Sequence, residues 1–143
     1  MTDHHQATRL TPLMRKVDCL QVAVPDLDEA LAFYRDKLGH EIRWRSKTSA
    51  AVGMADGTEI VLQTERPEAE TDLLVDNADL AAERFASAGG RVVVPPFDID
   101  VGRCTVVADP WNNTFVLLDL SKGTYDTDTA GNVIGVSQPG DRK

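Results

Sequence analysis

The segment Val22-Ala-Val-Pro-Asp-Leu-Asp-Glu-Ala-Leu-Ala-Phe-Tyr-Arg-Asp-Lys-Leu-Gly39, followed by His40-Glu41-Ile42, returns 51 residues later. The second copy is Leu73-Leu-Val-Asp-Asn-Ala-Asp-Leu-Ala-Ala-Glu-Arg-Phe-Ala-Ser-Ala-Gly89-Gly90, followed by Arg91-Val92-Val93. The offset carries Val24 onto Val75, Asp26 onto Asn77, Ala30 onto Ala81, Tyr34 onto Phe85, Gly39 onto Gly90 and Ile42 onto Val93. These positions make a strand end, a helix cap, an apolar helix face and a glycine stop. One architecture is present twice, and a pair of like units tends to enclose a cavity.

Each copy opens a longer unit. A strand over residues 17–24 ends at Pro25-Asp26, where Asp26 is a good N-cap and Glu29 stands three residues on. Leu27, Ala30, Leu31, Tyr34 and Leu38 then recur at helical spacing until Gly39 supplies the left-handed stop. Three short strands follow, over residues 41–45, 50–54 and 58–63, the last two joined by Ala55-Asp56-Gly57. The second unit repeats the order: a strand over 72–75, Asn77 as N-cap, a helix carrying Leu80, Ala81, Arg84, Phe85 and Ala88, then strands over 92–94, 103–108 and 114–120. Asp109-Pro110-Trp111-Asn112-Asn113 forms its last turn. The expected organisation is a flexible leader (1–16), a first βαβββ module (17–63), a polar linker (64–70), a second βαβββ module (71–120) and a tail (121–143). That tail holds Tyr125 and a candidate hairpin around Ala130-Gly131-Asn132.

Composition narrows the function. The 143 residues are 42% hydrophobic, enough for a core without staples, and the net charge of −8 repels nucleic acid on average. No apolar run approaches the ~20 residues of a membrane span. The first nine residues carry no apolar stretch of a secretion signal, so a cytoplasmic protein is expected. Cys19 and Cys104 lie in apolar strand-like runs, as reduced buried thiols do.

The two βαβββ units, the run from Val24-Pro25-Asp26 through Phe33-Tyr34 to Leu38-Gly39, and the Asp109-Pro110 turn before a final strand resemble the vicinal oxygen chelate superfamily. That group includes glyoxalase I, bleomycin and fosfomycin resistance proteins, extradiol dioxygenases and methylmalonyl-CoA epimerase. The resemblance covers residues 17–120. It implies an α+β fold of tandem modules, forming a curved mixed sheet or open barrel around a central cavity.

The resemblance also implies where a divalent ion (Mn, Fe, Ni or Zn) would sit. Metal-dependent members place four ligands, mostly His and Glu, on the first and last strand of each module. The corresponding positions here are Cys19, Glu70 at the same offset of 51, Val116, and Ile60 or Val61. A hard divalent ion wants oxygen or imidazole donors, and two of these positions are aliphatic. Glu59 and Gln63 reach the floor only by a strand slip that would turn the apolar face outward as well. The reading therefore favours a cavity without a metal. The alternative is a divalent ion held by Glu70 with Glu59 or Gln63. His40, just past a helix stop, matches Arg91 as a cation at a helix C-terminus. His4 and His5 lie in the leader and offer only adventitious metal binding.

Strand alternation puts Cys19, Gln21 and Ala23 on one face and Leu20, Val22 and Val24 on the other, the latter against the helices. By the repeat, Glu70 and Asp72 share the first face, and the resemblance adds Val116. Cys19 and Gln21 each keep a purely structural alternative, as a buried thiol and a satisfied amide. Arg43, Trp44, Arg103 and Trp111 would suit a planar or anionic organic molecule. Resistance proteins of the family sequester a drug between two chains, and acidic residues such as Glu70 and Asp72 favour a cationic guest. The expected function is binding of a small hydrophobic or cationic organic molecule, in a homodimer. A metal-dependent lyase, isomerase or dioxygenase of the glyoxalase I type is the alternative.

Overall fold

In a computed structural model that describes residues 11–138, one eight-stranded curved sheet runs β2-β3-β4-β1-β5-β8-β7-β6. The first module contributes β1 (Lys16–Ala23), a helix, β2 (Ile42–Arg45), β3 (Ser49–Gly53) and β4 (Glu59–Gln63). The second contributes β5 (Glu70–Leu74), a helix, β6 (Arg91–Ile99), β7 (Gly102–Ala108) and β8 (Thr114–Leu118). The expectations for residues 1–10 of the leader, with His4 and His5, and for residues 139–143 lie outside the described residues. Of the remaining leader, Arg15 donates its amide to the Leu74 carbonyl and Leu13 packs on the second core.

The chemistry of the sheet centre follows from its register. β1 and β5 run antiparallel, pairing Cys19 with Asp72 and Gln21 with Glu70. Glu70 is the repeat mate of Cys19, and Asp72 that of Gln21. The near-twofold axis between the modules therefore gathers all four residues in one patch. β4 lies parallel to β1, with Cys19 opposite Glu59 and Gln21 opposite Val61; β8 lies parallel to β5, with Asp72 opposite Val116.

Each module buries a core between its helix and the convex side of the sheet. Leu27, Ala30, Leu31, Ala50, Val52 and Leu62 form the first, flanked by Val22, Val24 and Ile60. Leu73, Val75, Ala81, Val107 and Leu117 form the second. Removing such side chains from water is worth about 1.5–3 kcal/mol each. Leu20, expected to join the first core, is 38% exposed.

Both helices start as the sequence predicts: the Asp26 carboxylate accepts from the Glu29 amide at 2.9 Å, and the Asn77 side-chain oxygen from the Leu80 amide at 2.9 Å. They continue differently. The second (Ala78–Ser87) is α-helical throughout, whereas the first (Leu27–Leu31) widens into a π-helical stretch over Ala32–Lys37. There the Leu38 amide reaches back five residues to the Phe33 carbonyl. The wider turn spoils the three-and-four spacing, and Leu38 ends 53% exposed rather than in the core.

β6 exceeds the expected 92–94 and continues through Pro95-Pro96. It is an edge strand, with register shifts between Val92 and Val94 and between Val94 and Phe97 that accommodate the missing amides. Glu70, assigned by sequence to the linker, opens β5. The tail forms a separate hairpin of β9 (Thr124–Thr127) and β10 (Val133–Ser137), turning at the expected place.

Candidate functional site

The concave side of the sheet surrounds an open cavity of about 820 Å³. Its floor carries Cys19, Gln21, Glu59, Val61, Glu70, Asp72 and Val116; Arg43, Trp44, Gln63, Arg66 and Tyr125 also line it. Glu59 and Gln63 need no strand slip to reach it, because both share the face of β4 that carries Val61. Register decides which of the two aliphatic alternatives belongs here. Val61 packs with Cys19, Ala51 and Trp44 on the cavity side, whereas Ile60 packs beneath the first helix.

Asp72 is the electrostatic centre of the floor. It is 4% exposed, and its Oδ2 accepts from Cys19 Sγ at 3.3 Å and Gln21 Nε2 at 3.1 Å. Its Oδ1 is buried and receives no N–H or O–H donor. Burial first, and then the neighbouring Glu70 carboxyl, push Asp72 up to about 8. Glu59 is also raised, chiefly by burial, against the lowering effect of the Trp44 indole N–H that it accepts at 3.3 Å. Asp18 is raised by burial as well, and it reaches the cavity beside Cys19 because β1 carries a bulge between Val17 and Cys19.

The thiols are not poised as nucleophiles. Burial and then the charge of Asp72 hold Cys19 far above the ordinary thiol range; burial pushes Cys104, another lining residue, up to about 11. Gln21 finds protein partners at both ends of its amide, donating to Asp72 and accepting from the Arg66 guanidinium. Arg66 also pairs with Glu70 at 3.4 Å. Nothing in the linker's composition marks Arg66 as a cavity residue. Gln63 places it: its Oε1 accepts from the Glu65 and Arg66 amides at 2.9 and 2.8 Å, and its Nε2 donates to the Arg66 carbonyl at 2.7 Å.

Arg43 lines the cavity, its guanidinium lying where any side chain on Gly53 would stand, and pairs with Glu41 at 3.5 Å. Two other sequence candidates lie elsewhere. Arg103 is held by Asp79 at 2.9 and 3.0 Å, Asp98 at 3.1 Å and the Pro96 carbonyl at 3.2 Å, away from the cavity lining. Trp111 is 80% exposed at the tip of its turn and does not reach the cavity. The Asp109 side chain folds that turn outward by accepting from the Trp111 and Asn113 amides.

The family's metal can be tested against these residues. Val61 and Val116 have no donor atom, the Cys19 thiol donates to Asp72, and the Gln63 amide is used on both sides by its own loop. Among the described residues no group of three or more His, Cys, Asp or Glu side chains is arranged to hold a metal ion. Of the family's four ligand positions only Glu70 keeps a hard oxygen donor, and it pairs with Arg66, so those positions do not fit the ion.

A curved sheet built from two βαβββ modules around a cleft defines the class of glyoxalase-like folds. The chain belongs to the Glyoxalase/Bleomycin resistance protein/Dioxygenase superfamily, whose family model matches residues 16–117. No curated protein matches it in sequence. Among solved structures it is similar to methylmalonyl-CoA epimerase from Mycobacterium tuberculosis (18% identity, TM-score 0.64, covering 79% of this chain and 94% of that one). It is also similar to a chain described as an NAD-dependent benzaldehyde dehydrogenase from Legionella pneumophila (20% identity, TM-score 0.56, covering 71% and 97%). At these identities the likeness is one of fold. Among the described residues no helix is long and apolar enough to cross a membrane.

Proposed function

We propose that the protein binds a small hydrophobic or cationic organic molecule in the cavity between its modules, without the family's metal. The observation that carries this reading is Asp72 Oδ1, buried on the cavity floor with no donor of its own. A cationic N–H from a guest would supply that donor, and the guest's apolar part would lie against Val61, Val116, Trp44 and Tyr125. Cys19, Gln21 and Glu70 act through Asp72, as its donors and its carboxyl neighbour.

Buried free thiols accord with a cytoplasmic protein. A homodimer accords with the exposed apolar side chains Val93, Val94 and Phe97 on edge strand β6, and sedimentation measures it directly.

Calorimetric titration with pairs of aromatic ammonium compounds and their neutral isosteres tests the reading. Binding of the charged member alone is expected if Asp72 Oδ1 is the receptor; equal binding of both would leave only the hydrophobic guest, and binding of neither would overturn the reading. Glu59 and Glu70 line the same cavity, which keeps the metal-dependent lyase, isomerase or dioxygenase as a second reading. Stoichiometric Mn, Fe, Ni or Zn in purified, tag-free protein, lost in Glu70→Ala, would install that reading instead.

A further inference from the structure

The family match ends at residue 117, yet the cavity is bounded by residues that come later. The chain leaves β8 in the second module and is pinned at Lys122, whose amide donates to the Val101 carbonyl at 2.9 Å. The Lys122 Nζ meets Asp98 Oδ1 at 3.0 Å and the Ile99 carbonyl at 3.3 Å. The β9–β10 hairpin then reaches the free edge of β2 in the first module. There the Arg45 amide donates to the Gly131 carbonyl at 2.7 Å, and Arg45 forms an isolated bridge with Asn132. Between root and latch, the Tyr125 ring lies 5.1 Å from that of Trp44 at an interplanar angle of 52°, and its hydroxyl is 3.4 Å from Asp100 Oδ2. Thr124 and Tyr125 line the cavity.

We propose that this hairpin is a movable wall of the cavity, hinged at Lys122-Gly123 and latched on β2, and that Tyr125 is the residue through which it limits which guests fit. The hairpin is firm within itself. Its tip is fixed by Asp128, whose Oδ1 accepts from the Ala130 and Asn132 amides at 2.9 Å, and its open end by Ser137 Oγ donating to Asp126 Oδ2 at 2.6 Å. Among the described residues its backbone meets β2 through an isolated bridge in place of a ladder, beside the Tyr125 contacts with Trp44 and Asp100, and it hangs from a glycine at φ 124°. A unit that is stiff inside and weakly tied outside opens as a body, at a cost below global unfolding. The latch requires Gly131, since a Cβ there would press on Ile42 Cγ2 at 3.2 Å. The proposal concerns the cavity of the proposed binding function, but its test uses no guest.

Trp111→Phe leaves Trp44 as the sole tryptophan, so acrylamide quenching reads how well the wall covers it. In that background Tyr125→Ala is expected to raise the quenching constant about threefold while the far-ultraviolet dichroism stays unchanged. A latch lock, Arg45→Cys with Asn132→Cys, places a cysteine on each partner of the parallel bridge. Unlocked, the Arg45 amide is expected to exchange with deuterium at least about 100-fold faster than the β1 and β4 amides. Oxidising the lock should slow that amide at least tenfold, and reduction should restore it. Arg45 exchange as slow as the sheet centre and indifferent to the lock would overturn the movable wall. An unchanged quenching constant in Tyr125→Ala would overturn the role of Tyr125. A failed guest titration alongside a responsive lock would leave this inference standing and remove only the proposed ligand class.

Discussion

The two halves of the cavity floor share a backbone and differ in chemistry. Where β1 meets β5, the first module offers hydrogen-bond donors, the Cys19 thiol and the Gln21 amide, and the second offers the Glu70 and Asp72 carboxyls; the first module's own carboxyls, Asp18 and Glu59, line the cavity beside them. Antiparallel pairing of β1 with β5 sets the donors opposite the acceptors, so the floor largely satisfies itself and leaves Asp72 Oδ1 over. At the family's ligand position on β1 stands a thiol turned toward Asp72, and on the proposed reading the acceptor left over takes a cation.

Truncating both cores is the largest expected perturbation of the comparison. Leu62→Ala beneath the first helix and Leu117→Ala beneath the second, both fully buried, should each cost about 2–5 kcal/mol in urea unfolding. A much smaller loss in one alone would show that the modules are not equivalent in packing. Gln63→Ala strips the acceptor from the Glu65 and Arg66 amides, and about 1–3 kcal/mol is expected, with faster amide exchange in residues 64–66. If Gln63 instead served a metal, the same variant would lose bound ion.

The asymmetry of charge predicts a pH dependence. Asp72 is raised in the folded state, so its contribution to stability is complete below the ordinary carboxylate value of 3.8 and is lost as pH rises toward about 8. Asp72→Asn should flatten that decline in melting temperature, and an unaltered slope would remove Asp72 as its source. Trp111→Ala, on an exposed turn, should shift stability by no more than about 0.5 kcal/mol.

The sequence was most legible where structure is local. Asp26 and Asn77 cap their helices because side chain and amide are three residues apart, and the offset of 51 carried the floor from Cys19 to Glu70. What stayed hidden was non-local. The burial of Leu38 turned on a π-helical stretch that the spacing of apolar residues does not announce. Arg66 reads as linker until the Gln63 amide folds its loop over Gln21 and Glu70. Arg103 and Trp111 read as binding residues because their types suit a ligand, yet Asp79 and Asp98 hold the first and the Asp109 turn turns the second outward.

The central claim is that Asp72, with no metal, receives a cationic guest. Melting temperature measured on chelator-stripped protein, with and without an aromatic ammonium compound in large excess, tests it most directly; a ligand at 100 times its Kd adds about 2.7 kcal/mol. The account predicts a clear rise in the stripped wild type and none in Asp72→Asn. A rise that appears only after a divalent ion is restored, or one that survives in Asp72→Asn, would contradict it.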